Sequence, residues 1–321
     1  MPKRLLFLVL VNVVGLPSLA LGLSQAAAAG QRPDSKPSAR PASHENSPIR
    51  PPSDAELHER AKRLIANQHN NDDALEHYER IERHLDRTGG ANPRTLEDMT
   101  YRVVPNGMGS AKLLLKSDGK AIDPGEYRHE LETVEEALKE ALRPNDSRTR
   151  AANAKHQKRM RDRAELVDAA GDAYLIKSLG REKWNGYDCD VFQLDPNPNF
   201  RPQSMLQEIL THVTAKVWVD PSSDQLARGE AHITRDISIG GGILGKLYRG
   251  GVFSMEQTEV AAGVWLPTRY QYDFAGRKFL FSFEQHQLVE ASQYRFVGGA
   301  KEALAQVQVE LASGKSMGSA P

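Results

Sequence analysis

The chain has 321 residues with 42 basic and 42 acidic side chains, so its formal net charge is zero. That balance gives no global electrostatic reason to bind nucleic acid. A single cysteine, Cys189, excludes an internal disulfide framework.

At the N-terminus Lys3 and Arg4 precede an apolar run from Leu5 to about Leu23, and Ala26–Ala29 follow. A basic start, an apolar stretch and small residues form the anatomy of a secretory signal peptide over 1–29. Asn12, Gly15 and Pro17 interrupt the run, which is short for a bilayer span. No cysteine follows the signal, so the expectation is a soluble, exported, periplasmic protein rather than a lipoprotein. Residues 30–53 are rich in Pro, Ser and charge and cannot bury enough surface to fold, which makes them a disordered tether.

From Ser53 or Asp54 the spacing of Leu57, Ala61, Leu64 and Ile65 predicts a capped helix ending at Asn70–Asp73. The stretch 74–87 is ambiguous. Leu75, Tyr78, Ile81 and Leu85 have helical spacing, yet "DRTGGANPR" after them reads as a hairpin turn. "LEDMTYRVVP" and "AKLLLKSDGKAI" read as strands, the second running into an Asp-Gly turn.

Residues 125–168 change character. An acidic helix places Leu131, Val134, Leu138 and Leu142 on one face. "PND" at 144–146 breaks and recaps it, and a basic helix follows with Arg148, Arg150, Lys155, Lys158, Arg159, Arg161 and Arg163. The complementary charges predict an antiparallel hairpin whose arms face each other, in preference to a polyanion site.

From Ala170 the periodicity becomes two. Two strands flank Trp184–Gly186, two more flank "DPSSD", and three are separated by Ala262–Gly263 and Ala275–Gly276. The pattern predicts a meandering antiparallel sheet with no strand–helix–strand alternation.

"GGGILGKL" at 240–247 matches seven positions of a phosphate-binding loop, but Leu247 stands where the magnesium-ligating Ser or Thr belongs. No full helix fits before the next glycine pair, so nucleotide binding is not expected. The loop's apolar residues instead suggest a mobile lid over an apolar cavity. The candidate lid and cavity residues are Ile239, Ile243, Leu244, Leu247, Trp218 and Trp265.

Catalytic signals are weak. The 10 histidines show no H-x-x-x-H or H-E-x-x-H pair, and no G-x-S-x-G elbow occurs. Cys189 lacks a neighbouring base and reads as a small buried hydrophobe. Asp188 and Asp190 flank it without a marked partner. No catalytic residue, metal or cofactor is assigned.

"KVWVDPSSDQLARGEAHI", a Gly-rich loop and "GVFSMEQTEVAAGVWLPTRYQYDF" together resemble the outer-membrane lipoprotein-sorting (LolA-like) superfamily, in a branch with a charged helical insertion. The carriers are Trp218-Val219-Asp220-Pro221, Glu256 with Glu259, and Trp265-Leu266-Pro267, over about residues 75–297. The resemblance implies an α+β fold: an incomplete antiparallel β-barrel wrapped over helices, here spanning 54–298, with a tail at 299–321. It implies that 76–87 is the first strand, against the helical spacing. It also implies a concave apolar surface for acyl chains. The carriers' inward arginine cannot be assigned from the sequence, and the 125–168 insertion departs from their compact core.

The expected partner is therefore a lipid acyl chain or a lipoprotein, held without catalysis, with loop 237–250 as gate. No nucleic acid or nucleotide is expected. The alternative is an envelope-stress sensor or interaction module that docks another envelope protein through 125–168.

Overall fold

The computed structural model describes residues 53–90, 92–143, 146–239, 242 and 244–313. The signal segment 1–29, nearly all of the tether, and Ile243 lie outside the described residues.

Thirteen strands form one antiparallel sheet, not closed into a barrel, with five helices among the described residues. Helix α1 (Asp54–Leu75) precedes β1 (Tyr78–Arg87), β2 (Thr95–Pro105), β3 (Ser110–Ser117) and β4 (Lys120–Ala121). Helices α2 (Pro124–Ala141) and α3 (Ser147–Ala173) lead to β5 (Tyr174–Trp184) and β6 (Tyr187–Pro196). Helix α4 (Met205–Leu210), β7 (Val213–Val219), β8 (Leu226–Ile233), β9 (Ile237–Ile239) and β10 (Gly245–Leu247) follow. The chain closes with β11 (Val252–Ala261), β12 (Val264–Lys278), β13 (Phe281–Phe296) and α5 (Ala300–Ser313).

The strand order is β4-β3-β2-β1-β13-β12-β11-β8-β7-β6-β5, with β10 pairing both β12 and β9. Residue 78 onward is a strand, as the family resemblance implied and the helical spacing did not. Its first and last partners are far apart in sequence, since β1 pairs with β13.

Local chemistry explains the helix starts. Ser53 and Glu56 form a reciprocal capping box on α1. Asp123 caps α2 with Pro124 at its first position, Asp146 caps α3, and Ser204 caps α4. The apolar face Tyr127, Leu131, Val134 and Leu138 of α2 is buried, whereas Leu142 falls past the helix end and is exposed.

The two charged helices do not face each other as complementary arms. Acidic α2 packs on β3 and α5, and basic α3 packs on α1 and α4. Because β4 and β5 lie at opposite edges of the sheet, α2 and α3 are the crossover between those edges rather than a free arm. Arg163 of α3 is buried and finds Asp72 of α1, with Nη2 to Oδ1 at 2.7 Å. Arg128 and Lys139 pair with glutamates of their own helix. Helix α5 is part of this core, because Ala303 and Val307 pack against Leu131, Leu138 and Val104.

The helices divide between the two sheet faces. One row of directly opposed residues runs Phe192, Val217, Gly229, Met255, Tyr270, Val289, His84, Met99. Opposed residues share a face and neighbours along a strand alternate. This face meets α4 through Ile209, Tyr270 and Tyr272, and meets α1 through Leu57 and Phe192. Arg102 and Val104 lie on the other face, which α2 and α5 cover.

The turn between β12 and β13 is Phe279–Leu280, not Ala275–Gly276. Gly276 lies inside β12 opposite Leu247. A Cβ there would stand 2.6 Å from the Lys246 carbonyl oxygen and 2.7 Å from the Phe283 ring. The glycine is a close-approach residue.

Candidate functional site

Helix α1 has two sides with different tasks. Its polar side is clamped to sheet turns. Arg60 Nε and Arg63 Nε donate to the two carboxylate oxygens of Asp224 at 2.7 and 2.6 Å. Arg60 Nη1 reaches Asp190 Oδ2 at 2.7 Å. Asn67 donates to the Ser223 and Asp224 carbonyls, and Asn71 joins Gln225 to the Trp265 backbone. Burial by itself would lower the Arg60 pKa, but its hydrogen bonds to the Asp190 and Asp224 carboxylates override it and hold the guanidinium charged.

The apolar side of α1 is Leu57, Ala61, Leu64 and Ile65, the stripe that the sequence spacing picked out. It closes onto the sheet only in part, through Leu57 against Phe192 and Val219. Between it, Ala170 and Gly171 of α3, and Ile176, Phe192, Leu194, Val217 and Val219 of β5–β7 lies an apolar cleft. Its cavity volume is about 80 Å³, well short of the roughly 300–1,000 Å³ of sites that engulf a compact ligand. It is a slot.

Two contacts zip α1 to α3 beyond the slot. His69 Nε2 meets Asp168 Oδ1 at 2.7 Å, and Arg163 pairs with Asp72. At Gly171 a Cβ would stand 3.3 Å from Ile65 Cδ1, so the small residue lets the helices approach. The guanidinium of Arg60 lies over the Phe192 ring at 5.2 Å. Its Nη2 is buried and has no hydrogen-bond partner among the described residues. The slot therefore offers apolar walls and one buried donor at its rim.

Farther along the same face the character turns polar. Arg80, Glu82 and His84 of β1 are all buried. Glu82 accepts from Arg80 Nε at 2.7 Å and bonds His84 Nε2 at 2.8 Å, with Lys112 Nζ 3.7 Å away. Burial pushes the Glu82 carboxyl up, but Arg80 and the His84 hydrogen bond override it and hold it well below the usual carboxylate range. Nearby, burial pushes the Glu76 carboxyl up to about 7 against the pull of Arg80 and Arg159. His156 sits 3.4 Å from Glu76 and is pushed down by burial and by Arg159. A neutral imidazole gives Glu76 no cation to offset its burial.

The residues singled out from the sequence lie elsewhere. Ile237–Ile239 and Gly245–Leu247 form the hairpin β9–β10, which extends the sheet along β12. Ile239 and Leu247 are buried, Leu247 within the cluster of Tyr272 and Phe274, while Leu244 is 43% exposed. None of the described residues of 237–250 lines the slot. The hairpin is part of the sheet rather than a lid over this cavity. Its lysine, Lys246, pairs with Asp236 at 2.8 Å, and a strand rather than a helix holds it.

Trp218 stands on the opposite sheet face, opposed to Val191 and Arg228. It donates to Glu182 at 2.9 Å, and the Arg228 guanidinium lies 5.2 Å from its ring and 3.9 Å from Trp184. Trp265 belongs to the same cluster and meets the Tyr187 ring. Cys189 is fully buried there, and burial with the nearby aspartates pushes its thiol up to about 11. Asp190 is taken by Arg60 and Arg181, and Asp188 lies near Lys183. Among the described residues no group of three His, Cys, Asp or Glu side chains is placed to hold a metal ion. Also among them, no helix is long and apolar enough to cross a membrane.

No family model and no curated protein matches the chain. Solved structures do. An outer membrane lipoprotein-sorting protein domain from Vibrio parahaemolyticus is similar at 9% identity and a TM-score of 0.30, covering 74% of this chain and 93% of that one. A LolA superfamily protein from Nitrosomonas europaea is similar at 11% identity and a TM-score of 0.29, covering 74% and 93%. The MucA/MucB complex structure of Pseudomonas aeruginosa is similar at 9% identity and a TM-score of 0.22, covering 77% and 96%. At these values the likeness says what the chain is similar to and carries nothing about what it binds.

Proposed function

We propose that the protein is an exported, non-enzymatic binding protein for the apolar chain of a lipid or acylated polypeptide, and that the α1/β5–β7 slot receives the chain end. The single observation behind this reading is the apolar slot itself, whose walls Leu64, Ile65, Ile176, Leu194 and Val217 remain only partly buried. Covering them removes apolar surface from water, at about 0.8 kcal/mol per methylene of ligand. A slot suits a narrow alkyl chain better than a compact ring. The unpartnered Arg60 Nη2 is placed to donate to a carboxyl or ester oxygen, since a buried donor without an acceptor is costly.

Native mass spectrometry of the chain purified gently from an envelope extract, followed by solvent extraction, tests the reading. An adduct that organic solvent releases as a lipid supports it. A clean apo mass that takes up no added phospholipid or acylated peptide rules it out.

A further inference from the structure

The turn Phe279–Leu280 joins β12 to β13 and is chemically out of place. The other two-residue hairpin turns place glycine where φ is positive: Asp118-Gly119 with φ of 50° and 75°, Asn185-Gly186 with φ of 47° and 88°, and Ala262-Gly263 with Gly263 at 73°. Phe279 holds φ at 52°, a left-handed conformation that costs a bulky residue. The side chains gained are not buried in return. Phe279 is 40%, Leu280 87% and Phe281 79% exposed. The neighbouring hairpin adds Leu244, whose carbonyl oxygen accepts from the Phe279 amide at 3.2 Å.

Basic side chains outnumber acidic ones around this apolar tip, where Asp236 and Glu284 are the acidic members. Between Phe274 and Phe283 the only ionisable residues are Arg277 and Lys278, and between Leu244 and Gly250 Lys246 and Arg249 are the only strongly charged ones. Lys246 is offset by Asp236, which leaves a basic collar behind the tip. A protein partner would need about 800 Å² from each side, more than four partly exposed side chains supply. A bilayer needs no shape complementarity. It accepts a small apolar wedge while its anionic headgroups meet the collar.

We infer that the β12–β13 tip, Phe279–Phe281 with Leu244, inserts into the surface of an anionic lipid bilayer. This goes beyond the slot and does not depend on it. One site holds a single chain, and the other would bring the protein to the membrane from which that chain comes or to which it goes.

The test uses the full chain carrying Phe281→Trp and vesicles of phosphatidylglycerol and phosphatidylethanolamine with brominated acyl chains. The parent chain supplies the background from Trp184, Trp218 and Trp265. The expected result is quenching of the introduced indole, at least tenfold weaker binding by this signal when Leu280→Asp is added, and weakening in high salt. The signal is local, so binding through the N-terminal apolar segment does not mimic it. Matching circular dichroism of the variants shows that the fold persists. An unquenched indole, or quenching that Leu280→Asp leaves unchanged, overturns the inference. So does a blue shift that grows with protein concentration in the absence of vesicles, because a second copy would then be covering the tip.

Discussion

Arg80 and Glu82 stand two residues apart on β1, point to the same buried face, and share a hydrogen bond from Nε to Oε1 of 2.7 Å. A charged pair thus occupies the centre of a sheet face that turns apolar toward β5–β7. The pair holds because each ion has partners. Removing one charge leaves the other buried alone.

Glu82→Gln should therefore destabilise the fold by about 3–5 kcal/mol, read by urea denaturation at neutral pH. Replacing both residues, as Arg80→Met with Glu82→Leu, should cost far less than the single change. A double variant at least as unstable as Glu82→Gln would show that the polar network has a value beyond charge neutralisation.

Glu76 gives a pH signature of opposite sign to a salt-bridged carboxylate. Its folded pKa is raised from the ordinary 4.5 to about 7, so the folded state holds the proton more tightly than the unfolded chain. Stability from this group is present below pH 4.5 and is lost as pH rises through 7. Glu76→Gln removes the cost of ionising a partly buried carboxyl. The variant should have a higher Tm than wild type at pH 8, by an amount on the order of 1 kcal/mol in stability, and the gap should close by pH 5. A gap independent of pH would contradict the assignment.

Gly276→Ala places a methyl against the Lys246 carbonyl and the Phe283 ring, and the carbonyl belongs to backbone that cannot swing aside. A loss of about 1–3 kcal/mol is expected. The same change at Gly90, where no atom lies within 4 Å of the added carbon, meets only the φ of 96°. Equal thermal shifts in the two variants would show that crowding at Gly276 is relieved elsewhere.

Local patterns in the sequence were readable where they matched local physics. The stripe Leu57, Ala61, Leu64 and Ile65 follows helical spacing and does face the slot. The Asn185–Gly186 turn follows from its φ requirement. Strand β1 misled because its inward face carries Arg80, Glu82 and His84, while Ile81 and Leu85 point to the other side. Apolar periodicity reads such a strand inside out, and Tyr78, Ile81 and Leu85 then mimic a helix. The charged helices misled for a related reason. Complementary composition suggested that they pair, yet the partner of Arg163 is Asp72 and that of Leu131 is Val307, both far along the chain. Phe279 and Phe281 alternate with other residues as core positions would, and only the turn position shows them exposed. The slot itself joins α1 to β5–β7 across most of the intervening chain, so no short motif could announce it.

The most direct measurement is a titration of the protein with a series of n-alkyl carboxylates of increasing length, in wild type and in Ala61→Trp, which fills the slot. At about 0.8 kcal/mol per buried methylene, affinity should rise roughly fourfold with each added carbon until the slot is full. Ala61→Trp should abolish the length dependence while its circular dichroism stays native, and Ile176→Asp on the edge strand should do the same. Affinity that ignores chain length in wild type, or a length dependence that survives both substitutions, would contradict the account.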